Sequence, residues 1–245
     1  MFIPAILFSL DNPALCENKL DFKKIEIPNE GFSISMPLNW IEIPFDELRN
    51  FSTIITEEHP EITPQNFKYG FQSKFEDNWF ELPYVLIKIE NVGKIPLNTF
   101  SNLSKIKDEI DNKLNQKESS LALQELKFAE MYFDSTNYIL WSIFSNETDE
   151  FGKVKGLTGG YLTEKGLIGI SCYSKESEFS FYLPIFERII NSVNIAENLK
   201  YHNPSGYSSK FKNVDWSKVI VAAIIGILLT IFYSYRKQQK SNFLK

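Results

Sequence analysis

An antiparallel sheet covered by helices, an α+β fold of the α/β/α sandwich kind, is what this sequence predicts for most of its length. Two patterns carry that expectation. Four consecutive segments with strand character run from Leu126 to Ser174, separated by short polar or glycine-bearing breaks, and apolar residues at helical spacing occur before and after them. A third observation concerns the carboxyl end, where the uncharged run VIVAAIIGILLTIFYSY predicts one transmembrane helix in addition to the domain.

In chain order, the apolar stretch MFIPAILFSL is too short to span a bilayer but has the length of a signal-peptide core. Ala14 and Cys16 are small residues at the spacing a signal peptidase reads, so residues 1–16 are assigned to a cleaved signal peptide. The stretch lacks a basic amino end, and the alternative is the first strand of a cytosolic domain. Acylation of Cys16 is disfavoured because Leu15 stands where a small residue is wanted.

The domain is placed at residues 21–196. GFSISM alternates, with Phe32, Ile34 and Met36 on one face, until Pro37 withholds a ladder donor; WIEIP then resumes the alternation. The pair is expected to form a hairpin with Trp40 as a core anchor at its corner. Phe45, Leu48, Phe51 and Ile55 recur at helical spacing after Pro44. KYGFQSKF and YVLIKIE are predicted strands. Within NTFSNLSKIKDEIDNKL, the residues Phe100, Leu103, Ile106 or Ile110 and Leu114 form one stripe, with Asn98 as the expected amino-terminal cap. LKFAEMYF, NYILWSIF, GLTGGYLTE and GLIGISCYS follow as antiparallel strands. A closing helix is read from Phe181, Ile185, Ile189 and Val193, with Pro184 kinking it or starting its regular part.

Residues 197–217 contain Pro204 and Gly206 without lasting periodicity and are assigned to a juxtamembrane linker. The transmembrane helix is placed at 218–235, flanked by Trp216 and by Phe232, Tyr233 and Tyr235, the aromatic types of the two interfaces. The seventeen residues of the apolar run Val219–Tyr235 would cover about 25 Å as a helix, the short end of what crosses a bilayer. A buried soluble helix is the alternative, though the run has no polar face to turn toward water. Arg236, Lys237, Lys240 and Lys245 make residues 236–245 a basic tail expected on the cytoplasmic side. Ala222 and Gly226 form a small-xxx-small pair through which a weak homodimer could pack.

Near the ends of the domain, GFSISMPLNW has a strand-Pro-x-x-Trp form, and LPIFERIINSVNI runs a helix into Ser-Val. In both, the chain resembles the PsbP-like superfamily, the group that includes PsbP and DcrB. The resemblance spans Phe22 to Ile195 and implies the sandwich fold. Its motifs are structural, and it carries over no binding residue.

Composition and chemistry narrow the function classes. A net charge of -5 with pI about 5.3 disfavours a nucleic-acid partner. His59 lies in EEHPE with Glu57, Glu58 and Glu61, a contiguous cluster that suits a solvated loop better than a convergent metal site. His202 falls in the predicted linker. Cys172, within LIGISCY, reads as a small core residue. Gly156, Gly159 and Gly160 lack the Lys-Ser/Thr ending and following helix of a phosphate loop, so close strand packing explains them better. Trp79, Phe80 and Tyr84 either fill the core or form a surface patch. Asn50, Asn102 and Asn146 head Asn-x-Ser/Thr triplets, of consequence only in a glycosylating host. No residue is assigned a catalytic, cofactor or metal role. The expectation is a non-enzymatic, single-pass membrane protein whose domain lies in the periplasm or exterior and binds a protein partner or assists an envelope complex. The alternatives are a membrane-tethered hydrolase and a tail-anchored cytosolic adaptor.

Overall fold

The computed structural model describes residues 20–58, 67–74, 78–114, 127–148 and 152–202. The assigned signal peptide, most of the linker, the predicted transmembrane helix with Ala222 and Gly226, and the basic tail lie outside the described residues. Among the described residues, no helix is long and apolar enough to cross a membrane.

The fold is mixed α/β with two antiparallel sheets. Strand β1 (Phe22–Ile27), strand β2 (Phe32–Pro37) and strand β10 (Asn194–Ile195) form a small sheet in the order β1-β2-β10. The large sheet contains β3 (Trp40–Glu42), β4 (Phe67–Ser73), β5 (Tyr84–Glu90), β6 (Lys127–Asp134), β7 (Ile139–Thr148), β8 (Gly152–Thr163) and β9 (Gly166–Lys175). Its order is β3-β4-β5-β9-β8-β7-β6. The run β6 to β9 is a meander of neighbours, as the four alternating segments predict; β5 closes against β9 from the other side.

Helices α1 (Phe45–Glu58) and α2 (Leu103–Leu114) cover one face. There Leu48, Phe51, Ile106 and Ile110 bury against Leu86, Phe144 and Tyr173. The opposite face is covered by the small sheet together with helix α3 (Phe179–Asn191), and Ile34, Met36, Phe186 and Ile189 pack on Val85, Ile170 and Cys172. On this side the covering layer contains a second sheet beside the helix, which the expectation of helices alone did not include.

The predicted hairpin of GFSISM with WIEIP does not form. Strand β1 pairs with β2 along its whole length on one side; on the other, β10 pairs with Phe32 and Ser33, and the Ser35 amide donates to Ser192 Oγ at 2.8 Å, so the edge that β3 would need is already engaged. Past Pro37 the chain crosses to the large sheet, where β3 pairs with β4. Trp40 is buried in the core between the two sheets, in the anchoring role expected of it.

Asn98 does not cap. Leu97–Asn102 is a 3-10 turn, and it is Asn102 whose side-chain oxygen accepts the Lys105 amide at 3.1 Å, opening α2. In α3 the buried face comprises Phe179, Phe186, Ile189 and Ile190; of the predicted stripe Ile189 is buried and Ile185 and Val193 are half-buried against the same core. Phe181, from that stripe, is 68% exposed. Several sides of this helix are apolar, so periodicity alone does not select one. The sheet does: a Cβ at Gly159 would lie 2.3 Å from Ile190 Cγ2, and only glycine lets that isoleucine seat. Pro184 lies inside the helix, which begins five residues earlier at Phe179.

Candidate functional site

Charged and aromatic groups from three separate segments converge where β5 ends and β8 turns into β9. The turn is built from Thr163, whose Oγ1 accepts the Lys165 and Gly166 amides at 3.2 and 3.0 Å. The loop after β5 is tied to it by the Gly93 amide, which donates to the Lys165 carbonyl at 2.9 Å. These two ties bring Lys94 beside Glu164, with 2.6 Å between Nζ and Oε1, although 70 residues separate them. The Lys94 side chain is only 8% exposed. A cation this secluded needs a carboxylate partner in place, since removing one member leaves the other desolvated.

The third segment is the last described stretch. Glu197–Leu199 makes a 3-10 turn, Lys200 bridges antiparallel to Thr163, and Leu199 and Tyr201 are buried. The predicted linker is corrected here: residues 197–202 belong to the fold, because Leu199 and Tyr201 are two residues apart and enter the core together. His202 is not a free linker residue either. Its amide donates to Glu164 Oε1 at 2.8 Å, its carbonyl accepts from Lys94, and its ring Nδ1 lies 3.6 Å from the same carboxylate. Lys94 also stands 4.7 Å over the Tyr201 ring, whose hydroxyl donates to the Ile95 carbonyl at 2.7 Å. Partial burial acts to raise the Glu164 carboxyl. The Lys94 bond, the His202 amide and the charges of both residues outweigh it and hold the group below its ordinary value. Chemically this is a holding arrangement: one carboxylate and one ammonium grip the peptide groups of a third segment.

The other residues singled out in the sequence lie elsewhere. Cys172 is fully buried, and burial pushes its thiol well above the ordinary range. Gly156 and Gly159 permit close packing, since a Cβ at Gly156 would be 2.2 Å from Phe144 Cζ. Gly160 sits in the same strand, where a Cβ would be 3.2 Å from Leu167 Cδ1. The aromatic-patch alternative fails for Phe80 and Tyr84. Both are buried, Phe80 stacking on Phe51 at 4.2 Å and donating its amide to Gln72 Oε1 at 2.7 Å. Trp79 is half-buried against the same cluster. Of the three asparagines, Asn50 and Asn102 are exposed, whereas Asn146 is buried and closed to modification in the folded chain. His59 and Glu61 lie outside the described residues. Glu57 and Glu58 close α1, their side chains undescribed. Among the described residues, no three His, Cys, Asp or Glu side chains are grouped to hold a metal ion.

No family model and no curated protein matches the chain. In structure it is similar to cyanobacterial PsbP (CyanoP) from Synechocystis sp. PCC 6803, solved in solution. The likeness covers 72% of this chain and 93% of that one, with a TM-score of 0.45 and 12% identity. It is a distant likeness, and no residue role is transferred from it.

Proposed function

We propose that the chain is a single-pass membrane protein whose mixed α/β domain lies outside the cytoplasm and acts by binding a protein partner rather than by catalysis. The observation that carries this is the uncharged apolar run Val219–Tyr235 followed by a tail with four cations and no acid. The domain supports it in one respect. Its last described residue, His202, is gripped by Lys94 and Glu164, so that a tether would begin at a fixed point on the fold. Residues 203–217 span about 50 Å at most, enough for the domain to reach a partner beside its anchor.

Topology is the test. A Ser209→Cys chain in intact spheroplasts is treated with a membrane-impermeant thiol reagent, with Ser241→Cys as the opposite-side control. Cys172 contributes no background because it is buried, and the unsubstituted chain reports any signal from Cys16. Labelling at 209 but not at 241 supports the proposal. The reverse pattern refutes it and favours the tail-anchored cytosolic adaptor, the reading motivated by the missing basic amino end of residues 1–16.

A further inference from the structure

Residues 199–202 sit in the fold as a ligand sits in a groove. The Glu164 amide donates to the Leu199 carbonyl at 3.0 Å, and Lys200 pairs antiparallel with Thr163. At the far end the His202 amide and carbonyl engage Glu164 and Lys94. Side chains alternate: Leu199 and Tyr201 are 9% and 8% exposed, while Lys200 and His202 face outward. Leu199 occupies the space above Gly31, where a Cβ would meet its Cδ1 at 2.4 Å. Tyr201 lies 5.0 Å from the Tyr138 ring and beneath the Lys94 ammonium. Main-chain bonds combined with sockets for alternate side chains are how a sheet margin recognises an extended peptide. Here the occupant is the chain's own segment, joined to the preceding strand through Ala196.

From this we infer that the margin formed by Gly31, Lys94, Ile95, Tyr138 and Glu164 is a strand-recognition slot, filled in cis by residues 199–202. Its ligand in trans is an extended segment of a partner protein with an apolar residue, any residue and then tyrosine, followed by a carbonyl for Lys94. The cis segment keeps the slot closed except in the fraction of molecules where it is unseated, so apparent affinity for a partner is scaled by that fraction. This deepens the reading of the domain as a binding module but uses only the described residues, so a domain found on the cytoplasmic side would leave it standing.

The test uses the detergent-solubilised full chain carrying Leu199→Ser and Tyr201→Ala, which empties the slot. The probe is a fluorescein-labelled peptide with the sequence of residues 196–203, AENLKYHN, followed by anisotropy. The expected result is binding at least tenfold tighter than to the unsubstituted chain. It should be lost at least tenfold when the peptide tyrosine is alanine, and again when Lys94→Met is added. Equal binding by both chains, or indifference to the peptide tyrosine, overturns the slot. If the double variant does not unfold cooperatively, hydrogen exchange on the Lys94→Met chain replaces it. The Glu164 and His202 amides must then exchange at least tenfold faster while those of Ile168 and Ile170 do not change. Uniform acceleration, or none, overturns the inference equally. Failure of either experiment leaves the membrane topology untouched.

Discussion

Substituting Gly166 by alanine tests whether the end of the large sheet is as closely built as its geometry indicates. Gly166 has φ +146°, a conformation that side-chain-bearing residues rarely adopt, and a Cβ there would lie 1.9 Å from the Glu90 carbonyl oxygen. The next contacts, at 3.0 Å, are the Glu90 carbonyl carbon and the Val92 amide nitrogen. All three atoms are backbone, so no flexible side chain can swing aside. Backbone strain of about 1–3 kcal/mol adds to overpacking of about 1–3 kcal/mol, giving a loss of roughly 4 kcal/mol. Gly152→Ala is the control, since its φ is +63° but nothing lies within 4 Å of the added carbon. It should lose only the conformational part, about 1–2 kcal/mol. Urea unfolding of the full chain, followed by tryptophan fluorescence, measures both. At this chain length the larger loss corresponds to a fall in Tm on the order of 10 °C. If Gly166→Ala costs no more than Gly152→Ala, the close approach of the β8–β9 turn to the Glu90 and Val92 backbone is refuted.

Four further outcomes are expected. Tyr161→Phe removes a buried hydroxyl that donates to the Ile190 carbonyl at 2.7 Å; that carbonyl keeps the Val193 amide at 3.2 Å, so the loss by urea unfolding should be that of one net hydrogen bond, about 1 kcal/mol. Burial, and secondarily Asp134, pushes that phenol from 10.0 up to about 12, so its share of stability is complete below pH 10.0 and fades as pH rises through 12; ultraviolet absorbance titration should lose a tyrosine step at about pH 12 in the variant. Glu164 is held below its ordinary 4.5 in the fold, so its contribution is present above pH 4.5 and lost on acidification; Glu164→Gln leaves the secluded Lys94 without its carboxylate, so it should cost about 2–3 kcal/mol at neutral pH and show a shallower decline in stability below pH 4.5, and an unchanged acid limb would refute this. Ser33 buries a hydroxyl with no hydrogen-bond partner among the described residues, so Ser33→Ala should be neutral or stabilising by up to about 1 kcal/mol, and a loss larger than that in urea would contradict the assignment. Cys172 should react with an aromatic disulfide reagent only at the rate of unfolding, because its thiol is both enclosed and held protonated; rapid reaction in native buffer would show that the α3 face opens.

How much of the molecule could be read from the chain depends on the distance over which each feature is decided. The strands β4 to β9 and helix α2 were legible because their alternation or 3.6-residue spacing lies within each segment and needs no partner to be recognised. The roles of Gly156 and Gly159 could be anticipated in kind, as places of close approach, but not the atoms that approach them. Strand β1 was missed because FKKIEI shows period two only over Ile25, Glu26 and Ile27. The false hairpin has a different cause. The turn at Pro37 was correctly seen, yet the edge of β2 away from β1 is engaged by Ser192 and β10, which lie more than 150 positions later, and Trp40 goes to the other sheet.

The candidate site was the least legible part, for the same reason. His202 looked like a linker residue because Pro204 and Gly206 follow it closely, and the alternation of Leu199 and Tyr201 is too short to register as a strand. Nothing local couples Lys94 to Glu164 or to a carbonyl 108 positions away; only the closure of β5 on β9 brings them together. The sequence by itself determined the antiparallel meander, the amphipathic α2 and the apolar character of Val219–Tyr235, all properties of neighbouring residues. Tertiary structure alone decided the division into two sheets, the face that α3 buries, and the grip on residues 199–202. Each of those depends on filling a shared interior or desolvating a charge, which single segments cannot do.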